Sequence, residues 1–314
     1  MKVVIALGGN ALQKRGEVMS AQNQRANVVI ACQQLAKVHG LGHQMVLAHG
    51  NGPQVGLLGL QNDAYSRYVD PKVTPYPLDV LGAETQGMIG YMLAQELANH
   101  LPTDSHICNL LTQTVVAQDD PAFQNPTKFV GPVYNQAEAE QLAAEQGWQI
   151  KADGAYFRRV VASPLPQAIN ELAQIKLLID NQVIVIAVGG GGIPVLKNQG
   201  QLTGVEAVID KDLASGLLAH NIDAEYFIIA TDVAAVMVNW GTPEQKAIRY
   251  AHPDALMAMD FASGSMGPKV AAACAFAKAS SQTAVIGALE DITEMLAQGA
   301  GTLISTQFDG ITYA

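Results

Sequence analysis

The 314-residue sequence is 49% hydrophobic and only 15% charged, too apolar for a disordered chain and long enough for two domains or one large α/β domain with an insertion. A formal net charge of −10 argues against a broad nucleic-acid surface, so any anionic ligand must meet a local group of Lys or Arg. No apolar run approaches the ~18 residues of a membrane span, and a soluble globular protein is expected.

In chain order, short apolar runs rich in β-branched residues alternate with helical periods. The first, VVIAL at 3–7, is too short for a secretory signal and stops at Gly8-Gly9-Asn10. The second, QMVLA at 44–48, leads into His49-Gly50-Asn51-Gly52-Pro53, and ICNLL follows at 107–111. Residues 118–164 break the pattern with Pro121, Pro126, Gly131-Pro132 and Pro164, and show little periodicity outside 136–147, which reads as an inserted subdomain. The rhythm resumes with VIVIAV at 183–188 before four glycines, Gly189 to Gly192, then YFIIA at 226–230 before Thr231-Asp232, and TAVIG at 283–287. Such alternation predicts a mostly parallel sheet, whose ligands lie beyond the carboxyl ends of its strands. Cys32, Cys108 and Cys274 have no C-x-x-C spacing and sit in apolar stretches, so buried, reduced thiols are expected.

Several enzyme classes drop out for want of their motifs: the chain has no G-x-x-x-x-G-K-[ST], G-x-G-x-x-G, H-E-x-x-H or G-x-S-x-G. The seven histidines are scattered, and none is assigned to metal. Glycine turns at strand ends read either as tight connections or as backbone cradles for an anion, and two such turns, each with an Asn, favour the second reading. Gly189 to Gly192 forms a third turn of the kind that lies against a polyphosphate. Lys211, between Asp210 and Asp212 at the start of an apolar helical stretch, and Lys269, after Met266-Gly267-Pro268, each read alone as a surface lysine. Two lysines at helix starts beside glycine turns, with no histidine base, fit phosphoryl transfer, which needs charge and positioning more than proton chemistry.

The stretches VVIALGGNAL (3–12), HGNGPQVG (49–56), ETQGMIGY (84–91), NPTKFVGPVY (125–134), RRVVASPLP (158–166), GGGGIPV (189–195), GVEAVIDKDLA (204–214), TDV (231–233) and GSMGPKV (264–270) follow one another along the whole chain. Together they resemble the carbamate kinases of the amino acid kinase superfamily, and HGNGPQ with PTKF separates the chain from acetylglutamate kinases. The resemblance implies an α/β fold with an open, mainly parallel eight-stranded sheet sandwiched by helices, and a protruding subdomain at 118–164 that closes over the substrate. The N-terminal half would handle carbamate and the C-terminal half nucleotide.

The same resemblance implies reversible transfer, ADP + carbamoyl phosphate ⇌ ATP + carbamate, used catabolically to make ATP in the cytoplasm by a homodimer. Gly8, Gly9, Asn10, Gly50, Asn51 and Gly52 would line the carbamate or carbamoyl-phosphate site, with Lys128 reaching in from the subdomain. Lys211 and Lys269 would contact the transferred phosphoryl group and the nucleotide phosphates, held by Asp212 and Asp210. Thr231, Asp232, Val233, Met237, Met266, Gly267 and Pro268 fall on the nucleotide side, where Ala234 and Met237 replace an acid and an aromatic of several relatives, leaving Met266 the better packing partner for the base. Mg²⁺ would bridge nucleotide phosphates, without a carboxylate cage of its own.

Overall fold

The structure, a computed structural model, describes residues 1–9, 12–13, 16–262 and 265–314. Strand β1 (Lys2–Leu7) is apolar after its first residue. Helix α1 (Ala21–Gly40) starts where the Ser20 side chain accepts from the Asn23 N–H at 3.1 Å, and it leads back to β2 (Gln44–His49). Two long helices follow, α2 (Gly52–Tyr68) and α3 (Leu78–His100), then β3 (Ile107–Asn109) and β4 (Gln113–Val116). An inserted unit comprises β5 (Lys128–Tyr134), α4 (Gln136–Gln146), β6 (Gln149–Asp153) and β7 (Tyr156–Val161). The chain continues through β8 (Pro166–Ile169), α5 (Leu172–Asp180), β9 (Ile184–Ile186), β10 (Ile193–Asn198) and β11 (Gln201–Gly204). Its last third holds α6 (Lys211–Asn221), β12 (Tyr226–Thr231), β13 (Met237–Val238), β14 (Lys246–Ala251), α7 (Pro253–Met257) and α8 (Met266–Ser280). It closes with β15 (Thr283–Ala288), α9 (Ile292–Leu296), β16 (Thr302–Ile304) and β17 (Ile311–Tyr313).

The main sheet places β14, β16, β15, β12, β1, β2, β9 and β3 side by side, the expected eight strands, and β13 and β17 extend the β14 edge to give a 10-stranded sheet. Pairing along the row of eight is parallel except between β15 and β16. The six apolar runs of the sequence form its contiguous part, β15-β12-β1-β2-β9-β3. Side chains alternate across a strand, so a sheet covered on both faces needs apolar residues at every position. In β1, Val4 and Ala6 join a core shared with Ala214, Leu218, Val270 and Phe276 of α6 and α8. Val3, Ile5 and Leu7 face the opposite core, with Val28, Leu35, Ile89 and Leu93 of α1 and α3.

Residues 118–164 are more regular than the sequence suggests. They carry the antiparallel sheet β5-β7-β6, missed because Gly131, Pro132 and paired charges interrupt every apolar run, while α4 falls where periodicity predicts it. Asn135 and Glu138 form a capping box at its start. The unit lies against α2 at one very close point: a Cβ on Gly56 would stand 2.0 Å from Gly131 Cα, so the helix tolerates no side chain there, while Gly131 itself is held to glycine by its φ of +73°. Among the described residues, no helix is long and apolar enough to cross a membrane. Cys32 and Cys274 are buried, whereas Cys108, also expected inside, is only half-buried on the edge strand β3; all three are free thiols.

Candidate active site

Leu7 and His49 are register partners at the ends of β1 and β2, so the two glycine turns leave the sheet side by side. Gly8 donates to the Ala230 carbonyl at 2.8 Å, and a Cβ there would come 2.9 Å from that oxygen, so the close approach requires glycine. A Cβ on Gly50 would stand 3.6 Å from Gly9 Cα and 3.7 Å from Lys211 Cδ, so the Lys211 stem runs directly over the second turn. Gly52, the first residue of α2, faces open space. Asn10 lies outside the described residues, as does Gly264 of the GSMGPK stretch.

The lysines converge from three elements on two aspartates. Asp210 is the N-cap of α6, its Oδ1 accepting from the N–H groups of Asp212 at 2.9 Å and Leu213 at 3.3 Å, an arrangement worth about 1 kcal/mol to the helix. Its Oδ2 takes the Lys128 ammonium at 2.5 Å. Asp212 bridges the other two, Oδ1 to Lys211 Nζ at 2.5 Å and Oδ2 to Lys269 Nζ at 2.9 Å. Three ammoniums against two carboxylates leave the cluster one positive charge in excess.

Burial sets the electrostatics. It lowers the Lys211 pKa, and the Lys269 charge adds to that, while Asp212 opposes both. For Lys269 burial acts downward too, but Asp212, with Asp210 and Asp232 behind it, outweighs burial and raises the pKa. Burial would raise the Asp212 carboxyl, yet the two ammoniums hold it well below the usual carboxylate range. Asp212 is therefore a fixed anion that positions cations, with no proton to give.

Other turns take roles the sequence did not give them. Val188, Gly190, Gly191 and Gly192 have positive φ, and the space where each glycine Cβ would stand is filled by protein: His49 Nε2 at Gly189, the Asn51 amide at Gly190, the Ile209 carbonyl at Gly191 and Thr114 Oγ1 at Gly192. The four-glycine turn thus serves internal packing first, where a polyphosphate cradle was expected. Asn51 is spoken for as well, since its Nδ2 donates to Thr85 Oγ1 at 2.9 Å.

Two buried residues of HGNGPQ had gone unassigned. His49, next to Gly50 O at 3.0 Å, has its pKa pushed down to about 4 by burial, the Gly50 carbonyl opposing and the Lys211 charge assisting, so it is neutral near pH 7. Gln54, in the first turn of α2, is buried with no partner for Nε2 among the described residues, leaving a donor near the second glycine turn. Only their place within a glycine-rich turn could have singled them out.

On the other side of Gly8, Thr231 Oγ1 donates to Asp232 Oδ1 at 3.0 Å, and Asp232 acts electrostatically on Lys269. Val233 and Met237, the latter in β13, are both half-buried. Met266 and Gly267 open α8, followed by Pro268 and Lys269, and Met266 packs against the core between sheet and α8.

The model of the amino acid kinase family matches residues 1–288. A carbamate kinase of Haemophilus influenzae is 56% identical over 314 residues, covering 100% of this chain and 99% of that protein. The chain belongs to the carbamate kinase family. Solved structures agree: carbamate kinase from Giardia lamblia bound to citric acid has TM-score 0.89 at 41% identity, covering 97% of this chain and 98% of that one. The same carbamate kinase bound to AMP-PNP gives TM-score 0.85 at the same identity and coverage.

Proposed function

We propose that the protein is a carbamate kinase that moves a phosphoryl group reversibly between carbamoyl phosphate and ADP, working catabolically to make ATP. The observation that carries this reading is the convergence of Lys128, Lys211 and Lys269 on Asp210 and Asp212, next to the glycine turns at the strand ends. In the ATP-forming direction, a β-phosphate oxygen of ADP bonds to phosphorus as the bond from phosphorus to the carbamoyl oxygen breaks, and carbamate leaves. No side chain needs to take a proton, and none of the cluster is poised to. The enzyme's contribution is to hold two anions in line and to neutralise the charge on the transferring group.

Lys211 meets that group, since its ammonium is buried and its stem crosses the Gly50 turn. Lys269, near the start of α8, meets the nucleotide phosphates, helped by the positive end of that helix's dipole. Gly8, Gly9, Asn10, Gly50, Asn51 and Gly52 surround the carbamoyl end, with Gln54 as a further donor. Thr231, Asp232, Val233, Met237, Met266, Gly267 and Pro268 form the nucleotide side, in keeping with the AMP-PNP complex of the Giardia lamblia relative.

The inserted unit is a lid within an otherwise single amino acid kinase domain, and it brings Lys128 to the small anion while excluding water. Mg²⁺ comes with the nucleotide and offsets charge on its phosphates. Asp210 and Asp212 are already bound to lysines, which fits an ion held by phosphate oxygens and water. The family resemblance further suggests a cytoplasmic homodimer, and three free thiols suit a reducing compartment. A coupled assay of ATP formation from ADP, Mg²⁺ and carbamoyl phosphate tests the reading: steady turnover is expected, and its absence in pure, folded protein contradicts it.

A further inference from the structure

The lid meets the body along the segment 205–210, which leads into α6. In the lid sheet, Lys128 pairs with Val161 and Val130 with Arg159, so these four side chains share one face. Opposite them, Glu206, Val208 and Asp210 recur at every second residue. Arg159 Nη2 lies 3.8 Å from Glu206 Oε1, Val130 and Val161 pack in one apolar cluster with Val208, and Lys128 binds Asp210 at 2.5 Å. The Val208 N–H donates to the Ala162 carbonyl at 2.9 Å, fixing the same alignment through the backbone. Charge, apolar contact and charge therefore match in sequence on both sides. A slip of the lid along the segment would break the two ion pairs together.

We propose that Glu206 is a positioning residue for phosphoryl transfer: by holding Arg159 at one end of the lid's inner face, it sets where the Lys128 ammonium arrives at the other. The proposal rests on the reading that Lys128 serves carbamoyl phosphate. Glu206 is suited to the task because its second oxygen is anchored in the body, where Oε2 accepts from the Leu78 N–H at 2.8 Å at the start of α3, a helix end without a side-chain cap of its own. Arg159 is tied in turn to the lid, lying 4.6 Å over the Trp148 ring. Burial lowers its pKa and Glu206 is the strongest opposing influence, which marks the carboxylate as its main ionic partner. An ion pair this open to water adds little stability, so its consequence lies in register.

Glu206→Gln removes the charge and keeps an oxygen for the Leu78 N–H, which separates the two roles. The variant is expected to raise the KM for carbamoyl phosphate by roughly three- to tenfold with the KM for ADP within about twofold, since a small misplacement of a charged group weakens only the ligand it serves. Amide exchange at Val208 should quicken in the same variant, a readout independent of catalysis. Arg159→Gln combined with Glu206→Gln should be no worse than either alone, because both break one interaction. Unchanged carbamoyl-phosphate kinetics and Val208 exchange in Glu206→Gln would overturn the proposal, as would losses that add in the double variant. Glu206→Asp should restore part of the KM, and a full defect there counts against a charge-based role. If the unaltered enzyme makes no ATP from carbamoyl phosphate, the functional reading fails, and Val208 exchange still decides whether Glu206 sets the lid register.

Discussion

Lys211 and Lys269 share one carboxylate, Asp212, whose side chain is 3% exposed, whereas Lys128 has Asp210 to itself and keeps 29% of its side chain in contact with solvent. The first pair is built into the starts of two helices that pack on the same face of the sheet. The third lysine hangs from a lid that meets the body at the Gly56–Gly131 approach, in the Val130–Val161–Val208 cluster, and through ion pairs that include Lys128–Asp210, Arg159–Glu206 and Arg67–Glu145. Two positive charges are thus in place before any ligand binds, and the third depends on how the lid sits. The difference points to a division of labour: fixed charge for the phosphoryl group, delivered charge for the small substrate.

Asp212→Asn breaks the fixed half most severely. Two buried ammoniums lose their common anion, and removing one partner of a buried pair typically costs about 3–5 kcal/mol. Urea unfolding at pH 7 should register a loss of that order, while Asp210→Asn, at the lid contact, should lose clearly less. Equal losses in the two variants would erase the distinction between locked and exchangeable pairs.

A smaller effect sharpens the same contrast through pH. The folded pKa of His49, about 4, lies below its ordinary value of 6.5, so the unfolded chain takes up the proton first. The stability gained from neutral His49 is complete above about pH 6.5 and is lost as pH falls towards about 4, by roughly 3 kcal/mol. His49→Gln should flatten the slope of unfolding free energy between pH 7 and pH 4.5. A variant with the wild-type slope would show that this histidine is not the buried neutral group beneath Lys211.

The sheet was legible because its central strands are buried on both faces and therefore read as unbroken apolar runs, VVIAL and YFIIA above all. The strands beyond β15 were not: β16 has three residues, and β14 mixes Lys246, Arg249 and Tyr250 with its apolar positions. The lid strands hid for a related reason, since one face meets the body and the other meets α4, water or charge. The three lysines were found from their settings at helix starts and from the PTKF resemblance. That Asp212 and Asp210 hold lysines came from the resemblance alone, and which carboxylate serves which lysine was not legible, because it depends on α6, α8 and β5 meeting in space. Asp210 and Asp212 are two residues apart and serve different lysines. Glu206 carried no signal at all, as its partners Leu78 and Arg159 are remote in the chain.

The division between fixed and delivered charge is tested most directly by steady-state kinetics of Lys128→Ala and Lys211→Ala, with ADP and carbamoyl phosphate varied separately. Lys211→Ala should lower turnover by on the order of 10²- to 10³-fold with little change in the KM for ADP, as expected for a charge that acts mainly in the transition state. Lys128→Ala should raise the KM for carbamoyl phosphate and lower turnover, again leaving ADP little affected. An unchanged carbamoyl-phosphate KM with unchanged turnover in Lys128→Ala, or near-normal turnover in Lys211→Ala with only weaker ADP binding, would contradict the account.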